Sequence, residues 1–325
     1  MDVARFDPNR EDPVPVARVQ VAAREHARTP GPRPSVDAAV WRLRNPFTGI
    51  GPAVHWVARS GGEVVGVAVA HFPDQENTST ALIAITVHPD HRMRGAGTAL
   101  LRAVEAEAVA RGRTSLEAWQ VDAGGPGETW ALARGFRVLR RSVLQDLDVA
   151  HARTDAPVPP GYRLRRWAGI APADLVESYA RARNAIADSP LGEAEFEHPD
   201  WTVERVREEE ADQREQGVEQ FVVVAVHEDS GEVVGLTEVE RRPSAPTWLM
   251  QRDTAVVAAH RGRGLGVAVK ADLLRWVLAE RPEVEAVATM TGSDNHHMQR
   301  VNHALGYRDS GTWLFVRREV EGPRG

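Results

Sequence analysis

Residues 54–58 and 64–70 are mostly apolar runs on either side of the polar and glycine-rich Ser60-Gly61-Gly62, which predicts a pair of strands joined by a tight turn. An apolar run at 81–87 predicts a third strand. Leu100, Leu101, Val104 and Ala108 then fall on one face of a helix that begins after Gly97. A strand at 116–119, a short helix at 128–134 and one or two closing strands over 136–149 complete this series. The order then returns. A strand at 162–167, helices within 172–186 and 201–215, and strands at 221–226, 233–240 and 250–258 precede a helix whose apolar face is Leu265, Val269, Leu273 and Trp276. A strand at 284–290, a helix at 295–305 and a strand at 307–316 close it. Two stretches break the pattern: 29–36, rich in Pro and Gly, and 189–200, acidic and irregular. Both read as loops between helices, and such loops often shape binding sites.

The recurrence is visible residue by residue. Gly-Glu-Val-Val-Gly occurs at 62–66 and again at 231–235, Arg92-Met93-Arg94-Gly95-Ala96-Gly97 answers to Arg261-Gly262-Arg263-Gly264-Leu265-Gly266, and Gly135-Phe136 answers to Gly306-Tyr307. The repeating unit is therefore a whole domain. Two copies, 1–150 and 151–325, fit a chain of 325 residues, with the proline-rich 155–160 as a short stiff linker. Each copy mixes strands and helices, so the fold class is α/β.

Composition narrows the function. The chain is 42% hydrophobic and 26% charged, and its apolar runs are too short to span a bilayer. The N-terminus lacks the apolar stretch of a secretory signal, so the expected location is the cytoplasm, with no membrane partner. A formal charge of -6 argues against a general nucleic-acid binder, which needs a basic field to neutralise phosphates. With no cysteine there is no disulfide framework, thiol nucleophile or thiolate metal site, and the twelve histidines show no ligand spacing; the expected metal is none.

A strand that runs into Arg-x-x-Gly-x-Gly and then a helix brings successive backbone N–H groups and a helix N-terminus to one point, with no Cβ in the way of a diphosphate. The Rossmann reading of Gly-x-Gly fails here. The third glycine is replaced by Leu100 and Val269, and no acidic residue ends the next strand. Together with Val87-His88-Pro89-Asp90-His91-Arg92 and the closing Gly-Phe or Gly-Tyr, the order resembles the GNAT acyltransferase superfamily. Asp253-Thr254-Ala255-Val256, His260-Arg261-Gly262, Leu265-Gly266, Lys270 and 295–302 look like an actinobacterial tandem type, of which the two-domain mycothiol synthases are more distant relatives.

The resemblance implies two tandem GNAT-like domains, each a mixed, splayed β-sheet flanked by helices. It implies transfer of an acyl group, acetyl in the simplest case, from a CoA thioester to the amine of a small molecule. The cofactor is acetyl-CoA or another acyl-CoA. It would be held by Val256, Arg261, Gly262, Arg263, Gly264, Leu265, Gly266 and Asn295 in the second copy, and by Val87, Arg92, Arg94, Gly95, Ala96 and Gly97 in the first. An acyl-phosphopantetheine on an acyl carrier protein shares the terminal arm and stays open as donor and partner. A non-catalytic acyl-CoA binder and an acetyltransferase of protein amines stay open as well.

Such chemistry needs a base for the amine, N–H donors for the oxyanion and a tolerated thiolate. Backbone amides of 250–257 are the candidate donors. The family's usual tyrosine acid is replaced by Ala131 and Asn302, but a thiol of pKa near ~8.5 leaves without much help. Asn302 either bonds the sulfur or packs. Asp253, Glu238 and Glu240 stand where the first copy has Ala84, Val69 and His71, so the catalytic candidates are Asp253, Glu238 and Asn302, and the first copy reads as degenerate. Asp253 is a base or a hydrogen-bond anchor for Thr254 or Gln251; Glu238 and Glu240 share a strand face that lines a cleft or meets solvent. Asn295 either caps its helix or meets the cofactor. The acidic tract 208–212 reads as a solvated helix face.

Overall fold

The protein was analysed as a computed structural model that describes residues 1–27, 31–46, 50–188 and 197–320. The chain runs β1 (Asp2–Phe6), α1 (Val14–Ala27), α2 (Val36–Arg44), β2 (Ala53–Ser60), β3 (Glu63–His71), β4 (Thr80–Val87), α3 (Ala96–Ala110), β5 (Ser115–Asp122), α4 (Pro126–Leu132) and β6 (Arg137–Asp148). It continues through β7 (Tyr162–Ala168), α5 (Val176–Arg183), α6 (Val203–Glu215), β8 (Glu219–His227), β9 (Val233–Arg241), β10 (Trp248–Val256), α7 (Leu265–Glu280), β11 (Ala286–Gly292), α8 (His296–Ala304) and β12 (Arg308–Glu319). Every element predicted from periodicity is present; β1, α1 and α2 come in addition. Most of the loop expected at 189–200 lies outside the described residues, as do residues 29 and 30 of the loop expected at 29–36.

Two compact units share these elements. One holds residues 1–142 and 311–320, the other 143–188 and 197–310. The passage between them falls within β6, ahead of the division expected at 150, and the C-terminal strand returns to the first unit. There, residues from Trp313 to Glu319 pair antiparallel with β5, and Leu314 and Val316 enter the core. The apolar run 313–316 in β12 calls for a buried strand without saying which sheet supplies the partner.

In the first unit β1, β2, β3 and β4 are antiparallel neighbours, and β5 adds parallel to β4. The α3 face Leu100, Leu101, Val104 and Ala108 is buried against Ala81, Ile83 and Leu116, while α1 and α2 cover the other sheet face through Val16, Ala17, Ala39 and Leu43. The second unit has the same plan. β7, β8, β9 and β10 are antiparallel and β11 adds parallel to β10. Leu265, Val269 and Leu273 of α7 pack on Phe221, Val223, Val239 and Leu249, and α5 covers Val222, Val224 and Leu236 on the opposite face. Thr202 caps α6 by accepting from the Arg205 amide, which starts that helix where the sequence turns from irregular to periodic.

The two closing glycines differ in what surrounds them. Gly306 has φ +103, and a Cβ added there would stand 2.5 Å from the His151 carbonyl oxygen. Gly135 has φ +81, with Arg318 Cδ at 3.6 Å as its nearest neighbour. Gly306→Ala is therefore expected to cost about 3 kcal/mol, strain and backbone clash together, and Gly135→Ala about 1 kcal/mol for the left-handed conformation alone. Urea midpoints of the two variants check this, with the larger drop in Gly306→Ala.

Candidate functional site

In each unit the last two strands of the parallel pair join only at one end. β10 pairs with β11 from Trp248 to Met250 and no further, although the strands end at Val256 and Gly292. β4 pairs with β5 from Thr80 to Ile83 in the same way. Each opening leads to a glycine loop. After β10, a 3-10 turn at Ala258–His260 precedes Gly262 at φ +74 and Gly264 at φ +84, the latter being the N-cap of α7. Left-handed residues one apart turn consecutive N–H groups to one side, where the positive end of α7 adds to them. A Cβ added at Gly262, Gly264 or Gly266 meets no atom within 4 Å, so the loop has open space in front of it, as a diphosphate requires. Arg261 holds the loop from behind: its Nε donates to the Val256 carbonyl at 2.8 Å and its Nη2 to Asp188 at 2.5 Å. Arg92 repeats the first contact with Val87 at 3.4 Å. This pair of arginines thus clips the end of the strand, a role that spacing alone does not distinguish from phosphate contact.

β10 carries a bulge at the mouth of this opening. Gln251 lies opposite Val239 and Thr254 opposite Thr237, so Arg252 and Asp253 together face Glu238 and have no ladder partner. A bulge of this kind re-aims side chains and leaves amides unpaired. Gln251 is fixed by donating to Thr237 Oγ1 and the Glu238 carbonyl, and the hydroxyls of Thr254 and Thr237 are 2.8 Å apart. Among the described residues, Gln251 and Thr254 are thus held by partners other than the Asp253 carboxylate.

Glu238 and Glu240 line the α5/α6 side of the sheet, and both are buried. Glu238 is 1% exposed, with Oε1 accepting from the Tyr179 hydroxyl at 2.7 Å and Oε2 from Gln220 at 3.3 Å. Arg183 Nε lies 3.4 Å from Oε1, an ion pair without hydrogen-bond geometry, while Nη1 donates to Glu209 at 2.5 Å. Burial pushes the Glu238 carboxyl up to about 7; Arg183 pulls it down, and the charges of Asp253 and Glu209 push it up again. Glu240 goes the other way. Despite burial, Arg252 and Arg242 hold it below its ordinary value, with Arg242 Nη2 at 2.7 Å. Two carboxylates two residues apart on one strand are thereby driven to different protonation behaviour, which is how acid and base roles are separated.

Sequence reading missed Tyr179, Arg183, Glu209 and Arg252. The acidic tract 208–212 is only partly solvated: Glu209 is the partner of Arg183, and Glu210 is buried, accepting from Arg207 and the Ala171 amide. The spacing of Tyr179 and Arg183 on α5, one turn apart beside Val176 and Ala180, was the available signal. Asn302, by contrast, is 0% exposed and spends both amide hydrogens on Gln145 Oε1 at 2.8 Å and Thr291 Oγ1 at 3.2 Å. Its N–H groups are thus committed to packing. Asn295 caps α8 by accepting from the Met298 amide at 3.1 Å. Lys270 is buried with its Nζ 5.2 Å from the Tyr307 ring centroid, and burial brings it down to about 7.

The first unit keeps the loop and loses the rest. Gly95 caps α3 at φ +90, and Met93, 98% exposed, occupies the left-handed position that Gly262 fills in the other loop. Trp130 ring atoms sit 3.4 Å from a Cβ placed on Gly97, where Gly266 faces open space. β3 and β4 pair without interruption from Gly66 with Val87 to His71 with Leu82, so no bulge forms. Val69 and Ala84 stand at the positions of Glu238 and Asp253. His71, at the position of Glu240, is buried beside His55.

Burial and the neighbouring His71 bring His55 from 6.5 to about 4, and burial lowers His71 too. The unfolded chain therefore binds protons more readily than the folded one between about pH 6.5 and 4. Stability is fully present above 6.5 and is lost as pH falls through that window, by up to ~3 kcal/mol for His55. Melting temperatures at pH 7.5 and 4.5 should differ by less in His55→Leu than in wild type; an equal drop in both would assign the loss to other groups.

No helix of the described residues is long and apolar enough to cross a membrane. Comparison with known proteins agrees with the site geometry. The acetyltransferase (GNAT) family profile matches residues 21–133 and again 184–307. The chain is 28% identical to the mycothiol acetyltransferase of Salinispora tropica over 82% of its length and 81% of the relative's, and 26% identical to that of Salinispora arenicola over 94% and 93%. A tandem GNAT protein from the clavulanic acid biosynthesis pathway, solved without AcCoA, superposes with a TM-score of 0.81 at 28% identity, covering 100% of this chain and 99% of that one. A GCN5-related N-acetyltransferase from Sphaerobacter thermophilus shares the fold at a TM-score of 0.75 and 19% identity, over 99% and 96% of the two chains. A glycine loop at the end of a splayed strand, repeated in both halves and matched by the same profile in each, establishes that this chain belongs to the GNAT acetyltransferase family.

Proposed function

We propose that the second unit moves an acetyl group from acetyl-CoA to the amine of a small molecule, by direct attack with donor and acceptor bound together. The observation that carries this reading is Glu238: a buried carboxyl pushed up toward neutrality, directly opposite a bulge on the strand that leads into the glycine loop. Acetyl-CoA supplies the thioester. The amides of 262–266 and the N-terminus of α7 would hold its pyrophosphate, and the unpaired backbone at Arg252 and Asp253 offers N–H groups to an oxyanion. Asp253 is the half-buried member of the carboxylate pair and Glu238 the buried one. Asp253 meets the incoming ammonium, and its proton passes to Glu238 directly or through one water. No acid is assigned to the leaving thiolate, which at pKa near ~8.5 departs unaided. The named relatives point to a small-molecule acceptor and to acetyl as the group moved.

Incubation with acetyl-CoA and a panel of small primary amines tests this. Free thiol should appear only with a competent amine, and the product should gain the mass of one acetyl group. Acetyl-CoA binding with no amine-dependent thiol release across the panel would favour a binding protein. In Asp253→Asn the rate should fall at neutral pH and recover as pH rises, because an amine already deprotonated in solution no longer needs a base. A uniform drop at all pH values would take Asp253 out of the proton path.

A further inference from the structure

The groups around Glu238 come from every element packed on it. Tyr179 and Arg183 reach it from α5, Glu209 from α6, Gln220 from β8, Glu240 from its own strand, and Arg252 and Asp253 from β10. Among the described residues Arg183 is the one cation at ion-pair distance from Glu238, and it is shared. Its Nη1 is bonded to Glu209, its Nε faces Glu238, and its guanidinium lies flat on Trp201, 3.3 Å from the ring centroid. The side chain is 1% exposed, so solvent does not screen it and its position between two carboxylates is set by packing. Trp201 is itself fixed: its amide donates to Asn184 Oδ1 at 2.8 Å and its carbonyl accepts from Asn184 Nδ2 at 3.3 Å.

We propose that Arg183, clamped by Trp201 and divided between Glu209 and Glu238, is a positioning residue that sets how strongly Glu238 holds a proton, with Glu209 as the opposing weight. The proposal rests on the assignment of Glu238 as the proton acceptor of the second unit. An arginine this close to a carboxylate stabilises its charged form, and a second carboxylate drawing on the same guanidinium weakens that effect. Without Arg183, burial and the charge of Asp253 would leave Glu238 protonated at neutral pH and unable to accept from an amine. With Arg183 committed to Glu238 alone, the carboxylate would be too weak a base. Sharing places it between these limits. The first unit, where Val69 replaces Glu238, has no carboxylate at that position for a cation to tune.

Two substitutions should move Glu238 in opposite directions, a signature that a merely structural role does not produce. The readout is pH-dependent infrared difference spectroscopy of the ligand-free protein, following the C=O stretch of a protonated buried carboxyl and assigned by its loss in Glu238→Gln. In Arg183→Met the band should titrate higher by about one pH unit or more. In Glu209→Gln it should titrate lower, and Arg183→Lys, which keeps the charge, should stay nearer to wild type than Arg183→Met. Tyr179→Phe removes a bond to the same oxygen and should shift the band up whatever Arg183 does, which checks the band assignment; if Arg183→Met does not fold, the downward shift in Glu209→Gln carries the test. Unmoved bands in the folded variants, or shifts of one sign in Arg183→Met and Glu209→Gln, would overturn the proposal. Failure of the underlying assignment shows separately, as a Glu238→Gln protein that still acetylates amines at the wild-type rate while the Arg183 and Glu209 variants show the expected infrared shifts.

Discussion

Glu238→Gln is expected to lower amine acetylation by about 10²–10⁴-fold at neutral pH and to leave acetyl-CoA affinity unchanged. The size follows from what the substitution removes. Gln keeps the shape of the side chain and an oxygen for the Tyr179 hydroxyl, so α5 stays docked on β9, but it takes away the buried carboxyl that burial pushes toward neutrality. Losing its charge leaves Arg183 with Glu209 as its remaining direct ion-pair partner, and a buried pair is still neutral as a unit. Stability should therefore change little, and the defect should sit in turnover. Calorimetric titration with acetyl-CoA separates binding from chemistry, because the glycine loop and α7 lie outside the altered contacts. Wild-type turnover in a folded Glu238→Gln protein would pass the role of base to Asp253. A loss of acetyl-CoA binding equal to the loss of rate would mean that Glu238 supports the architecture of β9 and β10 and not the proton transfer.

How far the sequence could be read follows from which physical signals are local. The loops were legible because left-handed backbone at the helix N-caps Gly95 and Gly264 favours a residue without a Cβ, and the two copies share that glycine even though Met93 fills the position of Gly262. The buried faces of α3 and α7 were legible because each is a continuous apolar stripe. α1 was not, since Val14, Pro15, Val16, Val19 and Val21 give a β-branched, partly alternating pattern that only packing beneath β2 and β3 turns into a helix. Glu238 and Glu240 were placed on a common face by strand period, but whether that face is wet depends on α5 and α6, which lie far away in sequence. The Arg183 network has the same origin. Glu209 sits in a run of acids that reads as solvated until Arg183 arrives from another helix. Asn302 shows the converse: the position that matches the family's acid is filled by a side chain whose hydrogen bonds all run inward, to partners on β6 and β11.

Gly264→Val and Gly95→Val should separate the two halves: the first is expected to abolish acetyl-CoA binding and turnover in the second unit, and the second to leave turnover within about twofold. Both glycines are helix N-caps in the left-handed region, at φ +84 and +90, and neither has an atom within 4 Å of an added Cβ. Backbone strain is therefore the same in the two variants, about 1–3 kcal/mol, and any difference between them reports on function. The second unit places the loop beside the open space at Gly266, the bulge at Arg252 and Asp253, and the buried Glu238. In the first, Trp130 packs against Gly97, β3 and β4 run together without a bulge, and Val69 and Ala84 carry no charge. Loop geometry alone can bind a diphosphate, so the first unit is expected to retain acetyl-CoA without turning it over, because the fold does not determine the chemistry. Melting curves establish that both variants fold, calorimetry counts the acetyl-CoA sites that remain, and thiol release with a competent amine measures turnover. Activity lost in Gly95→Val and kept in Gly264→Val would move the catalytic site to the first unit. Equal losses would mean two sites that depend on each other, and would require a proton acceptor in the first unit, where His71 is the titratable group at the position of Glu240.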